Sequence, residues 1–553
     1  MCRITTEDSK ILLHYNKNKI ENGLEFLSIN RTKVCAKSNI TILTRKLNSV
    51  SQPDILICRK IIYRNNSIIF KNYNKTNSQS VEFKIQGEYR RIKFSILINS
   101  KDPIWLTECK FSGLELDKIL VPALGGQVIS KNMPDGTSIS YKYPFWWNAQ
   151  FVIGMLKEGG IIFRIEDSNP NLKLLRVEKE KEKFSITIGF ESNFKDNKRE
   201  FYFEWYLEAF EGSWKKGVDI HRNWMERTYN LIPWKNNKLI PLWAKKIKFI
   251  LELWGARKDR EEPMHTFRQM IYRLDEWKKN YNPENTLVYL PGFAEHGIDS
   301  NAPSYNPSKQ CGGEKDFKKL VDYAHQLGYK IMIHTNAIAM TFEHPLYERF
   351  KKYQVIDVFD RMQGWALDID GDWLTEPFFA YINPGYQAWG DLMVKIIGSL
   401  ISKFKIDAVF LDQTLLAFNV KRGPNFILGM KNYIKRLQET FPGILFAGEG
   451  LHELNVEVLP LAQIHGIDSI AEIHGIEGKT NWRFVHPVST YLFGKYTRYV
   501  AHLLTKHPTH PMFKFQENAY KKLNVIPALC LYDYKQKIEI PEVKMMIKRT
   551  EKK

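Results

Sequence analysis

Cysteine is scarce and scattered. Cys2, Cys35, Cys58, Cys109, Cys311 and Cys530 are the only six in 553 residues. None forms a C-x-x-C pair, which argues against a zinc site and a disulfide framework. Reduced thiols in a cytoplasmic protein are the expectation. No run reaches 18 apolar residues, so no membrane span is expected, and the N-terminus M-C-R-I-T-T-E-D-S-K lacks the apolar core of a signal peptide. A phosphate-binding G-x-G-x-x-G after a strand, a nucleophile elbow and H-E-x-x-H are all missing. Lys and Arg outnumber Asp and Glu by 81 to 61, a formal charge of +20, yet no basic tract or recognition motif accompanies the excess. A Lys-rich solvated surface accounts for it without specific nucleic-acid binding.

What is present is a change of grammar partway along the chain. Up to about residue 210 the apolar runs are short, alternating or β-branched, as in Ile11–His14, Ile92–Ile98, Phe151–Leu156, Phe184–Phe190 and Phe201–Glu208. Asn, Lys, Ser and Gly clusters separate them. Many short strands with polar turns predict an antiparallel β-sandwich over 1–210. Residues 211–245 read as a linking helix, with Trp214, Val218, His221 and Met225 on one face, followed by a Pro- and Lys-containing boundary segment.

From residue 246 to 535 strand and helix patterns alternate. Ile247–Trp254, Thr286–Leu290, Lys330–His334, Ala408–Leu411, Ile444–Ala447 and Ile467–Ile470 read as strands. Helical patterns intervene, Leu454–Ile464 among them. Trp482–Leu492 and Tyr496–Leu504 are candidates for two further units, and Gln516–Lys522 for a closing helix. This alternation predicts a (β/α)8 TIM-type barrel, with 536–553 as a C-terminal tail. The fold class is therefore multidomain, β followed by α/β. Residues 337 to about 384 form an insertion in which Asp368, Asp370 and Asp372 read as a hairpin turn rather than a calcium loop.

In a parallel barrel, residues that follow the strands share one rim, where such folds place their chemistry. Here those residues are Glu252 and Trp254, then Tyr289, Glu295 and His296, then His334 and Asn336. Asp412 and Gln413, Glu449 and His452, and Glu472 and His474 complete the rim. Carboxylates, amides and aromatic faces together suit a carbohydrate. Glycoside hydrolysis needs one ionised and one protonated carboxyl across the scissile bond. Asp412 and Glu449 end consecutive strands and are expected about 5 to 6 Å apart, the spacing of a retaining mechanism. Glu472, one strand further on, is the rival acid. His334 and Asn336 read as substrate ligands. Their spacing builds no closed metal set, and no metal or other cofactor is expected.

The segments I-N-P-G-Y-Q-A-W-G-D-L-M, F-K-I-D-A-V-F-L-D-Q-T and G-I-L-F-A-G-E-G-L-H-E-L resemble a bacterial group of uncharacterised glycoside-hydrolase-like proteins. That group is distantly similar to α-galactosidases and endo-α-N-acetylgalactosaminidases. W-N-A-Q-F-V-I-G-M-L-K-E-G-G-I-I-F-R-I-E-D and G-S-W-K-K-G-V-D-I-H-R-N-W resemble its sandwich and linking helix. The resemblance implies a retaining glycosidase acting on an α-linked sugar, with Asp412 as nucleophile. The endo-type relatives imply Glu449 as acid/base and the α-galactosidases Glu472. Trp254, Tyr289, Glu295, His296, His334, Asn336, Gln413 and His452 are the expected sugar-binding residues. A non-catalytic carbohydrate-binding protein on a degenerate barrel is the alternative.

Overall fold

The computed structural model describes the chain except for residues 1, 16–23, 39, 57–59, 75–78, 193–199, 368–375, 465–481, 502–504 and 552–553. The rival acid Glu472, its neighbour His474, the predicted strand Ile467–Ile470 and the Asp368–Asp372 turn therefore lie outside the described residues. Two compact units emerge: 1–230 with 480–492, and 231–479 with 493–553.

The first unit is antiparallel β. A ten-stranded sheet has Glu200–Glu211 and Arg91–Ser100 near its middle, and a six-stranded sheet is built around Lys183–Glu191 and Ile104–Leu114. Alternation sets the faces: in Arg91–Ser100 every second side chain is buried. Rings from the two sheets meet between them, Phe94 with Phe111 at 5.1 Å and Phe111 with Phe163 at 5.4 Å. This sheet-on-sheet core is the expected sandwich. The helix Trp214–Tyr229 begins at Ser213, whose hydroxyl accepts the Lys215 N–H. Its buried residues Gly217, Val218, His221, Trp224 and Met225 form one stripe, with His221 against Phe151 of the larger sheet.

The second unit is an eight-stranded parallel barrel. Its strands are β1 (Phe249–Leu253), β2 (Thr286–Leu290), β3 (Lys330–Asn336), β4 (Ala408–Asp412), β5 (Leu445–Glu449), β6 (Leu461–Gln463), β7 (Arg498–Val500) and β8 (Ala528–Leu531). They lie in the order β7-β6-β5-β4-β3-β2-β1-β8, and a parallel bridge from Val500 to Ile526 joins the two ends. β1, β2 and β4 are buried along their whole lengths. Their continuous apolar runs follow from helices covering the outer face of a parallel sheet. Those helices are capped locally. Thr266 and Gln269 form a reciprocal capping box at Phe267–Lys278, and Gly328 closes Gly313–Leu327 at φ 95°.

The last third of the barrel departs from expectation. Leu454–Ile464 is not a helix: it turns and then contributes β6. Pro460 stands immediately before that strand, and a proline there lacks the N–H that a continuing helix needs. Trp482–Leu492 is not a barrel unit either, because Arg483–Val485 pairs antiparallel with Gln127–Ser130 of the first unit. The strand within Tyr496–Leu504 is β7, and Ala528–Leu531 supplies β8. Residues 541–551 form a helix rather than a plain tail. The insertion after β3 holds a three-stranded antiparallel sheet with Glu376–Tyr381 at its centre. Among the described residues, no helix is long and apolar enough to cross a membrane.

Candidate active site

Ala408 to Leu411 are wholly buried, and the chain turns polar at Asp412, still only 9% exposed. The next residue, Gln413, adopts φ 62°, a left-handed conformation that costs a non-glycine residue energy and clusters at functional sites. That turn aims the Gln413 main-chain N–H at Glu449 Oε2, 3.0 Å away. Thr414 Oγ1 donates to the Glu449 main-chain oxygen at 3.1 Å. A Cβ on Gly448 would lie 2.5 Å from Thr414 Oγ1, so the glycine before the acid is what lets the two strand tips close on each other.

β2 and β3 build the facing wall. The Tyr289 hydroxyl lies 2.6 Å from His334 Nδ1, and the imidazole stacks on Phe410, centroids 5.5 Å apart. Asn336 uses both side-chain polar atoms and its main-chain N–H. Its Oδ1 accepts the N–H groups of Ile338 and Ala339 at 3.0 and 2.9 Å. Its Nδ2 donates to Asp299 Oδ2 at 3.0 Å and to Gln413 Oε1 at 3.2 Å, and its main-chain N–H donates to the Tyr305 hydroxyl at 2.8 Å. Gln413 Nε2 donates in turn to the Tyr381 hydroxyl at 3.3 Å. Asn336 and Gln413, expected as sugar ligands, are joined to protein groups that hold the wall together.

Asp299 is the residue the sequence reading missed. It lies in the loop after β2, at φ 54° and 7% exposed. Its Oδ1 is 3.4 Å from His334 Nε2. Asp299 Oδ1, His334 Nε2 and Asp412 Oδ1 are all buried without a hydrogen-bond partner among the described residues. One ligand atom from each of the three residues lies within 4.8 Å of the others, a set that could hold a metal ion. The Asp412 carboxyl is held well above the usual carboxylate range. Burial is the largest cause, followed by the charge of Glu449 and then that of Asp299, which is also close enough to share a proton with it. Tyr305, Tyr381 and Thr414 were likewise not foreseen. Each reaches the site from a loop, the insertion or a turn, where no hydrophobic period marks the position.

The remaining expected residues stand apart from this cluster. Glu252 is buried on β1, where its Oε1 accepts the Trp254 indole N–H at 2.8 Å and its Oε2 the Cys530 thiol at 3.0 Å. Burial pushes its carboxyl up to about 8. Trp254, its N–H committed to Glu252, packs on Tyr532 with centroids 5.0 Å apart. Glu295 is half-buried and 3.7 Å from Lys309, and His296 is exposed. His452 is buried, which pushes its imidazole down to about 3. None of Glu295, His296 and His452 is hydrogen-bonded to the Asp299–His334–Asp412 cluster.

A family model described as a domain of unknown function, DUF6259, matches residues 200–496. No curated protein matches the sequence. Among solved structures, the ligand-free α-N-acetylgalactosaminidase NagBb from Bifidobacterium bifidum is similar over 100% of this chain and 93% of its own, with a TM-score of 0.73 and 12% identity. Its complex with GalNAc is similar over 84% and 78%, with a TM-score of 0.62 and 12% identity. The GH36 α-galactosidase AgaA from Geobacillus stearothermophilus is similar over 98% and 75%, with a TM-score of 0.50 and 11% identity. At these identities the likeness establishes a shared fold.

Proposed function

The chain belongs to the DUF6259 family, and for this member we propose a retaining glycoside hydrolase that acts on an α-linked sugar of the galactose type. The observation that carries the reading is the pairing of Asp412 and Glu449. They end adjacent parallel strands, β4 and β5, and the Gln413 N–H ties one tip to the other. In this mechanism Asp412 attacks the anomeric carbon while Glu449 protonates the leaving oxygen. Glu449 then takes a proton from the water that releases the glycosyl-enzyme. The charge of Glu449 opposes ionisation of Asp412, so the pair works with one proton between them. Burial and the charges of Glu449 and Asp299 favour that proton on Asp412, and the attacking form is the one in which it has moved to Glu449. Asp299 Oδ1 and His334 Nε2, buried and without a hydrogen bond among the described residues, offer the sugar hydroxyls an acceptor and a polar ring nitrogen. The sugar class is taken from the names of the structural neighbours, an α-N-acetylgalactosaminidase and an α-galactosidase.

The test is hydrolysis of a panel of nitrophenyl glycosides, with α and β anomers of galactose, N-acetylgalactosamine and glucose, and the first-formed product followed by NMR. Cleavage of an α-galactosyl or α-N-acetylgalactosaminyl substrate with the α anomer released first is the expected result. Release of the β anomer would overturn the retaining mechanism. Sugar binding with no turnover on any linkage would leave a carbohydrate-binding barrel instead.

A further inference from the structure

Asp299 Oδ1, His334 Nε2 and Asp412 Oδ1, which have no hydrogen-bond partner among the described residues, belong to side chains at least nine-tenths buried. A neutral sugar satisfies their hydrogen bonding but not their charge. Two carboxyl groups meet here, an oxygen of each within 4.8 Å of the other and of an imidazole nitrogen. Like charges brought together away from water repel strongly, and a small cation is the ligand that removes the repulsion and satisfies all three atoms together.

We propose that Asp299, His334 and Asp412 form a binding site for a divalent cation of the zinc class, and that the ion excludes the sugar and holds the enzyme inactive. The ion site stands whether or not the protein hydrolyses glycosides. The inhibition rests on the reading of Asp412 as nucleophile.

The donor set selects the class. Calcium and magnesium take oxygen ligands, whereas an imidazole with carboxylates suits zinc and its neighbours. Three protein ligands with water in the fourth place is the arrangement of an open zinc site. His334 Nε2 and Asp299 Oδ1, 3.4 Å apart, are poorly placed to bond to each other. That separation matches the edge of a tetrahedron whose metal bonds are about 2.1 Å. The outer groups are also in place. The Tyr289 hydroxyl at Nδ1 and the Phe410 ring fix the imidazole with Nε2 turned towards Asp299. Asn336 Nδ2 holds the other oxygen of Asp299. Such partners orient ligands at metal centres. The sequence reading found no closed ligand set because its third member, Asp299, comes from a loop.

Calorimetric titration of chelator-treated protein with Zn²⁺ near pH 7 tests the site. One ion per chain is expected, with affinity about tenfold or more weaker in Asp299→Asn and in His334→Gln, as for loss of a metal contact. Glu449→Gln, outside the donor set, keeps the ion. Circular dichroism establishes that each variant is folded; if one is not, Asp412→Asn removes the third ligand and reads the same loss. No stoichiometric binding, or unchanged affinity in the folded ligand variants, overturns the site. In the hydrolysis assay Zn²⁺ is expected to raise the apparent KM with kcat unchanged, and EDTA to reverse it. Turnover unaffected by saturating Zn²⁺ overturns the inhibition alone. If no glycoside is cleaved, the functional reading fails while the titration still decides the ion site. Competition is then read from N-acetylgalactosamine binding with and without Zn²⁺, and equal sugar affinity in both overturns the exclusion.

Discussion

Glu449 Oε2 accepts the main-chain N–H of Gln413 at 3.0 Å, so the acid ending β5 is bonded to the residue that follows the acid ending β4. Neighbouring parallel strands alone would bring the two tips near each other. The hydrogen bond, together with the left-handed turn at Gln413, holds one carboxyl oxygen of Glu449 against the residue that follows Asp412.

Replacing the attacking carboxylate separates chemistry from stability. Asp412→Asn is expected to lower kcat by about four orders of magnitude, the scale of losing a catalytic nucleophile. It is also expected to raise the melting temperature at pH 7. The folded carboxyl holds its proton well above the usual range, whereas in the unfolded chain it ionises near pH 4. The native aspartate therefore destabilises the fold increasingly as pH rises above that value. The gain should shrink as pH falls and vanish below about 4, where the unfolded carboxyl is also protonated. A variant with native kcat would remove Asp412 from the mechanism.

The acid/base assignment is decided by chemical rescue. Glu449→Ala should retain most of its rate only on substrates whose leaving group needs no proton, and azide should accelerate it by capturing the glycosyl-enzyme. Rescue of Glu472→Ala in place of Glu449→Ala would transfer the role.

Crowding at Gly448 offers a structural test. A methyl group there meets Thr414 Oγ1 at 2.5 Å and Leu459 at 3.0 Å. Gly448→Ala is expected to break the Thr414–Glu449 hydrogen bond and cost about 10- to 100-fold in kcat through displacement of the acid. Adding Thr414→Ala removes the nearer obstacle and should recover part of that loss. If the double variant is no faster than the single one, the Thr414 contact is not the cause.

Glu252 sets a pH dependence of stability distinct from the chemistry. Its carboxyl ionises at about 8 when folded and near 4.3 when unfolded. Between these values the folded state holds a proton that the unfolded state has lost. Stability therefore falls as pH rises through that window, by up to about 1.4 kcal/mol per pH unit, and levels off above it. Urea unfolding of Glu252→Gln, which keeps an acceptor for the Trp254 indole, should lack this slope between pH 5 and 8. An unchanged slope would mean that another group supplies it.

The strands were most legible where pattern is strongest. β4 and β5 are apolar runs ending in a carboxylate, and β1 and β2 are mostly apolar runs of the same length; burial on both faces leaves that signature in any sequence window. β6 and β8 are short, at Leu461–Gln463 and Ala528–Leu531. Segments of three and four residues also fit a buried helix turn, and nothing local distinguishes the two. Arg483–Val485 has a strand pattern, but its partner is Gln127–Ser130, more than three hundred residues earlier in the chain.

The sequence by itself determined the alternation of strand and helix, the sandwich that precedes it, and the placement of Asp412 and Glu449 at strand ends. These follow from periodicity and from the cost of burying a charge within a strand, both local properties. Tertiary structure alone decided that Asp299 meets His334 and Asp412, that Asn336 and Gln413 brace the wall, and that Glu252 is sealed beneath Trp254. Loop conformation, the register of parallel strands and the burial of a particular carboxylate depend on contacts between residues far apart in sequence, and such contacts leave no period to read.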